Sequence, residues 1–192
     1  MMVTFNPLSE VGAIKHKLAS LGEVFQIAFV PADFDAALRF WTETIGAGPF
    51  FLMEHIQAED CKYKGKPTSF DFSAAIGYWG DLQIELIQQH DSVPSIYTSW
   101  LEQGLQGLHH VCVAVKDMAE TRRVCAESGA TVMQEAKFRG GAAEVIYVDT
   151  HGGPGTMVEF WKPDESGPKF FASVRDAARG WDGSRPLRRP GE

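Results

Sequence analysis

The sequence lacks the features that mark several large classes of protein. It has no block of basic residues and a net charge of -7 over 192 residues, which argues against binding to nucleic acid or to an anionic membrane surface. No apolar run approaches the roughly 18 residues that span a bilayer. The amino terminus, MMVTFNPLSEVGAIKHK, has no continuous apolar core of the secretory type. We therefore expect a cytoplasmic protein whose partner is a small molecule, with no nucleic-acid and no membrane partner.

Cysteine is also scarce. The three cysteines are an odd number without a CxxC pair, which predicts reduced thiols in place of a disulfide framework. With 44% hydrophobic and 22% charged residues, the chain is long enough and apolar enough to bury a core. Residues 1 to about 20 and the final stretch DGSRPLRRPGE have the composition of peripheral segments. We expect neither end to carry chemistry.

An internal repeat organises the middle of the chain. The two copies are FQIAFVPADFDAALRFWTETIGA (25–47) and HHVCVAVKDMAETRRVCAESGA (109–130). Each copy has an alternating apolar strand, an acidic residue at the start of a helix, and a glycine-alanine stop. Gln26 and His110 are 84 positions apart, as are Asp33 and Asp117, so the copies stay in register from strand to helix. Asp33 and Asp117 are predicted to cap the helix amino termini.

Three further strands follow each predicted helix, which makes each copy a βαβββ module. They are expected at about 49–57, 69–79 and 82–89 in the first copy, and at about 131–137, 143–149 and 156–161 in the second. We predict an α+β fold in which two tandem βαβββ modules form a cup-shaped mixed β-sheet with the helices outside. The predicted segments are an N-terminal arm (1–22), the first module (23–92), a linking helix (93–106), the second module (107–163), and a C-terminal helix and tail (164–192).

Strand alternation separates the adjacent histidines of GLHHVCVAVKDM, because neighbouring side chains point to opposite faces of a strand. The valines of residues 109–115 form one apolar face, which places His109 with them and His110 on the face of the cup. In the first copy, the same rule gives Phe25 to the packed face with Ile27 and Phe29. Gln26, the counterpart of His110, then faces the cup.

The last strand of each module places a carboxylate on the same face. Glu85 lies within LQIELIQ and Glu159 within MVEFW, each between two packing residues. An unpartnered carboxylate on a dry sheet is costly, so the matching positions call for a common explanation. Oxygen donors with one imidazole suit Zn, Ni, Co, Mn or Fe(II), and leave coordination positions free. The sequence thus predicts a divalent metal ion held by Gln26, Glu85, His110 and Glu159; the alternative is an ion-pair network with helix Arg or Lys side chains.

The motifs QIAFVPADFDAALRFW, LQIELIQ, GLHHVCVAVKDM and MVEFW resemble the vicinal oxygen chelate superfamily of glyoxalases, bleomycin-resistance proteins and extradiol dioxygenases, over about residues 23–163. The resemblance implies metal ligands on the first and last strands of paired βαβββ modules, at the four positions named above. Their Gln, Glu, His, Glu order is similar to that of eukaryotic-type glyoxalase I, whereas GLHHVCVAV looks more like methylmalonyl-CoA epimerase, whose first ligand is usually His. That epimerase also has a catalytic glutamate on the third strand of its first module, where SFDFSAAIGYW offers only Asp71.

A metal in such a cup would stabilise an enolate while a carboxylate accepts a proton. We therefore expect a lyase or isomerase of the glyoxalase or epimerase type that transfers a proton next to a metal-chelated carbonyl. The resemblance makes Glu159 the first candidate for the base and Glu85 the second. One alternative is an extradiol ring-cleaving dioxygenase, which needs two histidines and one carboxylate, so His109 or His55 would have to turn inward. Another is a metal-free protein that binds a small molecule, as resistance proteins do.

The predicted substrate pocket is largely apolar, which would suit a small to medium apolar substrate. Its residues are Trp79, Cys112, Tyr147, Met157 and Trp161. No organic cofactor is expected, since no helix follows the glycine-rich loop DTHGGPG to make a phosphate site. The sequence leaves open whether the cup forms within one chain or across a homodimer.

Overall fold

The computed structural model describes residues 17–192. Residues 1–16, most of the predicted N-terminal arm, lie outside that range. The first half contains β1 (Val24–Val30), α1 (Phe34–Arg39), β2 (Phe50–Ile56), β3 (Glu59–Tyr63), β4 (Lys66–Pro67), β5 (Phe72–Trp79) and β6 (Leu82–Gln89). The second half contains α2 (Ile96–Glu102), β7 (Gly107–Ala114), α3 (Met118–Glu127), β8 (Thr131–Phe138), β9 (Ala143–Asp149), β10 (Met157–Lys162), α4 (Ser166–Ala178) and β11 (Leu187–Arg188). A 3₁₀ turn (Leu18–Ser20) precedes β1, and a π-helical segment (Phe40–Ile45) extends α1.

The strands form one mixed sheet in the order β11-β2-β5-β6-β1-β7-β10-β9-β8-β3-β4. Strands β1 and β7 lie antiparallel at its centre, and each pairs in parallel with the last strand of its own module, β6 or β10. The prediction of an α+β fold with two tandem βαβββ modules is confirmed. Because β1 and β7 pair directly, the cup forms within a single chain.

The helices α1 and α3 begin where the repeat predicts. Asp33 Oδ1 accepts a hydrogen bond from the Ala36 N–H at 2.9 Å, and Asp117 Oδ1 accepts one from the Ala119 N–H at 2.8 Å. These caps satisfy backbone donors that the first helical turn leaves free. Trp41, in the segment that continues α1, is buried with Ile84 of the sheet. Met118 of α3 is buried with Phe160 of the sheet in the same way, so both helices cover the convex face of the cup.

The short hairpin of β3 and β4 was not predicted, and it completes the curl of the sheet. Strand β3 pairs with β8 of the second module, at the opposite edge from β2. Only three residue steps separate Ile56, at the end of β2, from Glu59, at the start of β3. Three steps span at most about 11 Å, so the two edges of the sheet must lie close together. The cup is therefore nearly closed into a barrel.

Two helices differ from the prediction that all helices lie outside. Ile96 and Tyr97 of α2 are buried in the interior cluster with cup-facing residues such as Ala28, and α4 packs on β5 through Val174. The last strands of the two modules, β6 and β10, run in opposite directions. The helices α2 and α4, which follow these strands, therefore reach opposite open ends of the cup. None of the helices in residues 17–192 is long and apolar enough to span a bilayer.

The C-terminal tail is not peripheral, which corrects the expectation from its composition. Strand β11 pairs in parallel with β2 through Leu187 and Arg188. Arg189 forms an ion pair with Glu54 at 2.8 Å, and Pro190 reaches the cavity of the cup. Hydrogen bonds to the free edge of β2 hold this segment on the sheet, which its composition alone did not indicate.

Candidate metal centre and its cavity

The four central strands carry two rows of cross-strand partners, and members of both rows face the inside of the cup. From β6 through β1 and β7 to β10, the first row is Glu85, Ala28, His110 and Met157, and the second is Gln83, Gln26, Cys112 and Glu159. A two-fold rotation between β1 and β7 exchanges Glu85 with Glu159 and Gln26 with His110. The sequence repeat thus becomes a two-fold arrangement of the four predicted ligands.

Three of these side chains converge on one point. His110 Nε2 lies 3.0 Å from Glu159 Oε2 and 3.6 Å from Glu85 Oε2, and one ligand atom of each residue lies within 4.8 Å of the others. Atoms that share a metal at about 2.1 Å are at most about 4.2 Å apart, so this spacing fits a shared ion after small adjustments. Gln26 lines the same cavity. The donor set and its spacing therefore fit a divalent metal ion.

The electrostatics of this cluster favour a positive charge between the carboxylates. Burial lowers the pKa of His110, but hydrogen bonds and charges from Glu159 and Glu85 outweigh this effect and raise it to about 9. Burial raises the pKa of Glu85, against a smaller opposing effect of its hydrogen bond to His110. Without an ion, the protonated His110 ring supplies this positive charge, and a divalent ion bound at its Nε2 would take the place of that proton.

Bulges in the two central strands displace one residue of each from regular alternation. Phe25 in β1 and His109 in β7 have no partner opposite them, and they occupy equivalent positions of the repeat. An extra residue of this kind bends the strand and redirects its side chain. Phe25 therefore lines the cavity, with its ring 6.0 Å from that of Trp161. The prediction that Phe25 packs with Ile27 and Phe29 is wrong.

His109 touches the predicted ligand His110, so its assignment to the valine face is also wrong. Its Nδ1 lies 2.9 Å from Nδ1 of His110, and its Nε2 lies 3.3 Å from the carbonyl oxygen of Ile96. Burial and the charge of His110 lower the pKa of His109 to about 3, so the ring is neutral and has one N–H. Because a carbonyl can only accept, Nε2–H donates to Ile96 and Nδ1 accepts from His110. This leaves Nε2 of His110 for the site.

Gln26 is held by a second buried relay, which sequence reasoning missed. Its Nε2 donates to Gln83 Oε1 at 2.7 Å, and Gln83 Nε2 donates to the hydroxyl of Tyr78 at 2.8 Å. Gln83 is fully buried. The relay uses the nitrogen end of the Gln26 amide and leaves its oxygen end as a ligand. The presence of Gln83 on the same face of β6 as Glu85 was the available signal.

A cavity of about 430 Å³ opens beside this cluster. Its wall is mainly apolar and comes from both modules and from α4; it includes Phe25, Met53, Ile56, Phe72, Phe138, Trp161, Phe170 and Phe171. Arg139 is the one cationic side chain of this wall within residues 17–192, and it pairs with Asp164 at 3.2 Å. The cavity therefore suits an apolar molecule that reaches the polar cluster at one end.

A model of the glyoxalase/bleomycin resistance protein/dioxygenase superfamily matches residues 25–148. The chain belongs to this superfamily. A hypothetical protein, BH1468 from Bacillus halodurans C-125, has a similar structure with a TM-score of 0.53 and 18% identity, over 74% of this chain and 95% of that one. Methylmalonyl-CoA epimerase from Mycobacterium tuberculosis gives a TM-score of 0.50 and 18% identity, over 74% and 89% of the two chains. No curated protein matches the sequence.

Within this superfamily fold, three of the five predicted pocket residues line the cavity: Cys112, Tyr147 and Trp161. Trp79 does not, because it lies at the end of β5 and is 56% exposed, with its ring 6.3 Å from that of Trp41. Met157 does not line the cavity either. It is the β10 member of the first row of cross-strand partners, and it packs against the interior cluster that contains Ile96 and Tyr97 of α2. Both predicted pocket assignments are corrected.

The apolar wall from β2, β8 and α4 was missed by the sequence reasoning. The closing helix was predicted, but the contact of Phe170 and Phe171 with the cavity depends on how α4 folds back over the cup. Paired aromatics at the start of this helix were the available signal. These residues make the cavity more enclosed and more apolar than the sheet alone would.

The structure also places the residues on which the alternative functions depend. Asp71 lies outside the cavity, where its carboxylate bonds to His55 at 2.8 Å. Neither His55 nor His109 joins Glu85, His110 and Glu159, so within the described residues the cavity cluster contains one histidine. This composition differs from the two-histidine triad of ring-cleaving dioxygenases.

Proposed function

We propose that this superfamily member is a divalent-metal-dependent lyase or isomerase that moves a proton next to a metal-chelated carbonyl. The observation that carries the proposal is the convergence of Glu85, His110 and Glu159 beside Gln26, at one end of an apolar cavity. A bound Zn, Ni, Co, Mn or Fe(II) ion would act as a Lewis acid toward two neighbouring oxygens of the substrate.

In this proposal each residue of the cluster has a separate task. Gln26 acts as a neutral ligand, and so does His110 once the ion has displaced its Nε2 proton; Gln83 and His109, respectively, fix their orientation. Orientation by such outer contacts strengthens a ligand, because the side chain loses less freedom on binding. Glu159 is proposed as the base that accepts the proton from carbon, with Glu85 as the second candidate. Both carboxylates reach the cavity.

The cavity indicates the substrate class. The aromatic rings of Phe25, Trp161 and Phe171 form a continuous group, with centroids 5.0–6.2 Å apart. Such a group would bind an apolar or aromatic substituent and keep water from the reacting carbon. We infer a small to medium α-hydroxycarbonyl or α-dicarbonyl compound with an apolar substituent.

Metal analysis and proton exchange test the proposal together. The protein, purified without chelator, should carry about one equivalent of metal in the cavity. The variants Glu159→Gln and His110→Ala should lose this metal. A panel of apolar α-hydroxyketones, with methylmalonyl-CoA included because of the epimerase likeness, is incubated in deuterium oxide and examined by mass spectrometry. Metal-loaded protein should introduce deuterium, and Glu159→Gln, which removes the proposed base and also the cavity metal, should slow this by at least about 10²–10⁴-fold.

The same experiment separates the alternative classes. If no metal binds, and if His110→Ala leaves both stability and small-molecule binding unchanged, a metal-free binding protein is favoured and the enzyme proposal fails. Ring cleavage would require Fe(II) and oxygen uptake with a catechol. If the wild type consumes oxygen with a catechol and His110→Ala abolishes this activity, the proposed proton transfer would also be overturned.

A further inference from the structure

A second group of metal-ligating side chains lies outside the cavity, at the ends of three neighbouring strands. It consists of His55 from β2, Asp71 just before β5, and His90 just after β6. One ligand atom of each lies within 4.8 Å of the others. The His55 and His90 rings have centroids 5.0 Å apart, and His55 Nδ1 lies 2.9 and 2.8 Å from the two oxygens of Asp71.

This cluster is distinct from the metal centre in the cup. His90 Nε2 contacts the hydroxyl of Ser73 at 2.7 Å, and the residues that flank Ser73, Phe72 and Ala74, both line the cavity. By strand alternation Ser73 points to the other face of the sheet. The two clusters share no residue.

The backbone is arranged so that the three side chains meet. A register shift between Met53 and Ile56 marks a bulge at the end of β2. His55 there has a left-handed φ of 51°, a conformation unfavourable for most non-glycine residues. Its N–H donates to Ser73 Oγ at 3.1 Å. The strand therefore ends in a local structure that turns His55 toward Asp71.

Backbone hydrogen bonds fix the positions of Asp71 and His90, and the ligand side chains remain partly exposed to solvent. The N–H of Asp71 donates to Asp91 at 2.8 Å, and the N–H of His90 donates to the carbonyl of Asp71 at 2.8 Å. His55 has a side-chain exposure of 64% and Asp71 of 36%. Such a site would be pre-arranged on the protein side, with room for water to complete the coordination of an ion.

From these contacts we propose that His55, Asp71 and His90 form a second metal site, which binds a divalent cation of the Zn²⁺ or Ni²⁺ type. Two imidazoles and one carboxylate suit such ions, and they are too poor in oxygen for Ca²⁺ or Mg²⁺. The ion would join the ends of β2, β5 and β6. Ile56 and Phe72, which neighbour two of the ligands, line the cavity, so the site would also brace one part of its wall.

Zn²⁺ binding to the full chain tests the site, measured by equilibrium dialysis and elemental analysis. The proteins are the wild type, His55→Ala, His90→Ala, Asp71→Asn, Glu159→Gln, and the double variant Glu159→Gln/His90→Ala. His151→Ala is the matched control. His151 is an exposed histidine whose Nδ1 lies 3.5 Å from Asp149, but it belongs to no three-ligand cluster within residues 17–192.

We expect Glu159→Gln to retain about one Zn²⁺ and the double variant to retain none. Each of His55→Ala, His90→Ala and Asp71→Asn should weaken this binding by at least about tenfold, whereas His151→Ala should not. A Glu159→Gln protein without bound Zn²⁺, or equal affinity in Glu159→Gln and the double variant, would overturn the inference. Asp71→Asn preserves the shape of the side chain, and an unfolding transition unchanged from that of the wild type would show that its loss of Zn²⁺ is not due to unfolding.

The design also distinguishes this site from the one in the cup. If the cup binds no metal, the wild type and Glu159→Gln bind the same single equivalent, and only the outer variants lose it. If the outer site is absent, Glu159→Gln alone removes all specific Zn²⁺. Co²⁺ provides a second probe, because its visible absorption would change with His90→Ala only if His90 is a ligand.

Discussion

Replacing Gln83 by leucine should weaken metal binding in the cup although Gln83 touches no predicted substrate position. The change removes the acceptor of the Gln26 amide and the donor to the Tyr78 hydroxyl. An unsatisfied buried polar group costs about 1–3 kcal/mol. Gln26 lines the cavity and can regain a bond from water, so we expect a total loss of about 1–3 kcal/mol, chiefly at Tyr78. This corresponds to a decrease in Tm of about 2–12 °C for a chain of this length.

The effect on the metal is the informative part of this prediction. Without Gln83, the Gln26 amide can rotate and present nitrogen to the ion, and the loss of such an outer contact lowers metal affinity by about 10–100-fold. Tyr78→Phe is the matched control, because it removes the far end of the relay and preserves the bond between Gln83 and Gln26. Dialysis against a competing chelator measures the affinity, and calorimetry measures stability. Equal metal affinity in Gln83→Leu, Tyr78→Phe and wild type would refute the positioning argument.

Three further outcomes follow from individual contacts. Asp33→Ala and Asp117→Ala should each lower the unfolding free energy by about 0.5–2 kcal/mol, since they remove equivalent helix caps; chemical denaturation measures this, and no effect at either position would count against the capping role. His109→Leu removes the acceptor for His110 and should lower metal affinity by about tenfold, and unchanged affinity in dialysis would contradict that role. Phe171→Ala should weaken binding of aromatic carbonyl compounds by about 1–3 kcal/mol in isothermal titration, and unimpaired binding would place the substrate elsewhere.

Several elements could be predicted from local pattern because their causes are local. The caps at Asp33 and Asp117 depend on a side chain reaching its own backbone within one turn. The burial of Ile84 and Leu86 on one face of β6, with Glu85 on the other, follows from strand geometry alone. These features do not depend on where the rest of the chain lies.

Alternation failed at two equivalent positions, Phe25 and His109. A bulge adds to a strand one residue that has no partner on the neighbouring strand. Its position depends on the pairing of both strands, so the sequence of one strand does not show it. The bulges alter the composition of the candidate site. Phe25 belongs to the cavity wall, and His109 contacts the His110 ring on the side away from the carboxylates.

The sequence by itself determined the repeat, the two βαβββ modules and the positions of Gln26, Glu85, His110 and Glu159, because strand and helix periods are properties of short segments. Only the tertiary structure decided what those positions contact. The buried partners Gln83 and His109, the cavity wall from α4, and the outer cluster of His55, Asp71 and His90 depend on strands and helices far apart in the chain. Such contacts form only when the sheet curves and helices cover its ends. The periodicity of a short segment therefore does not predict them.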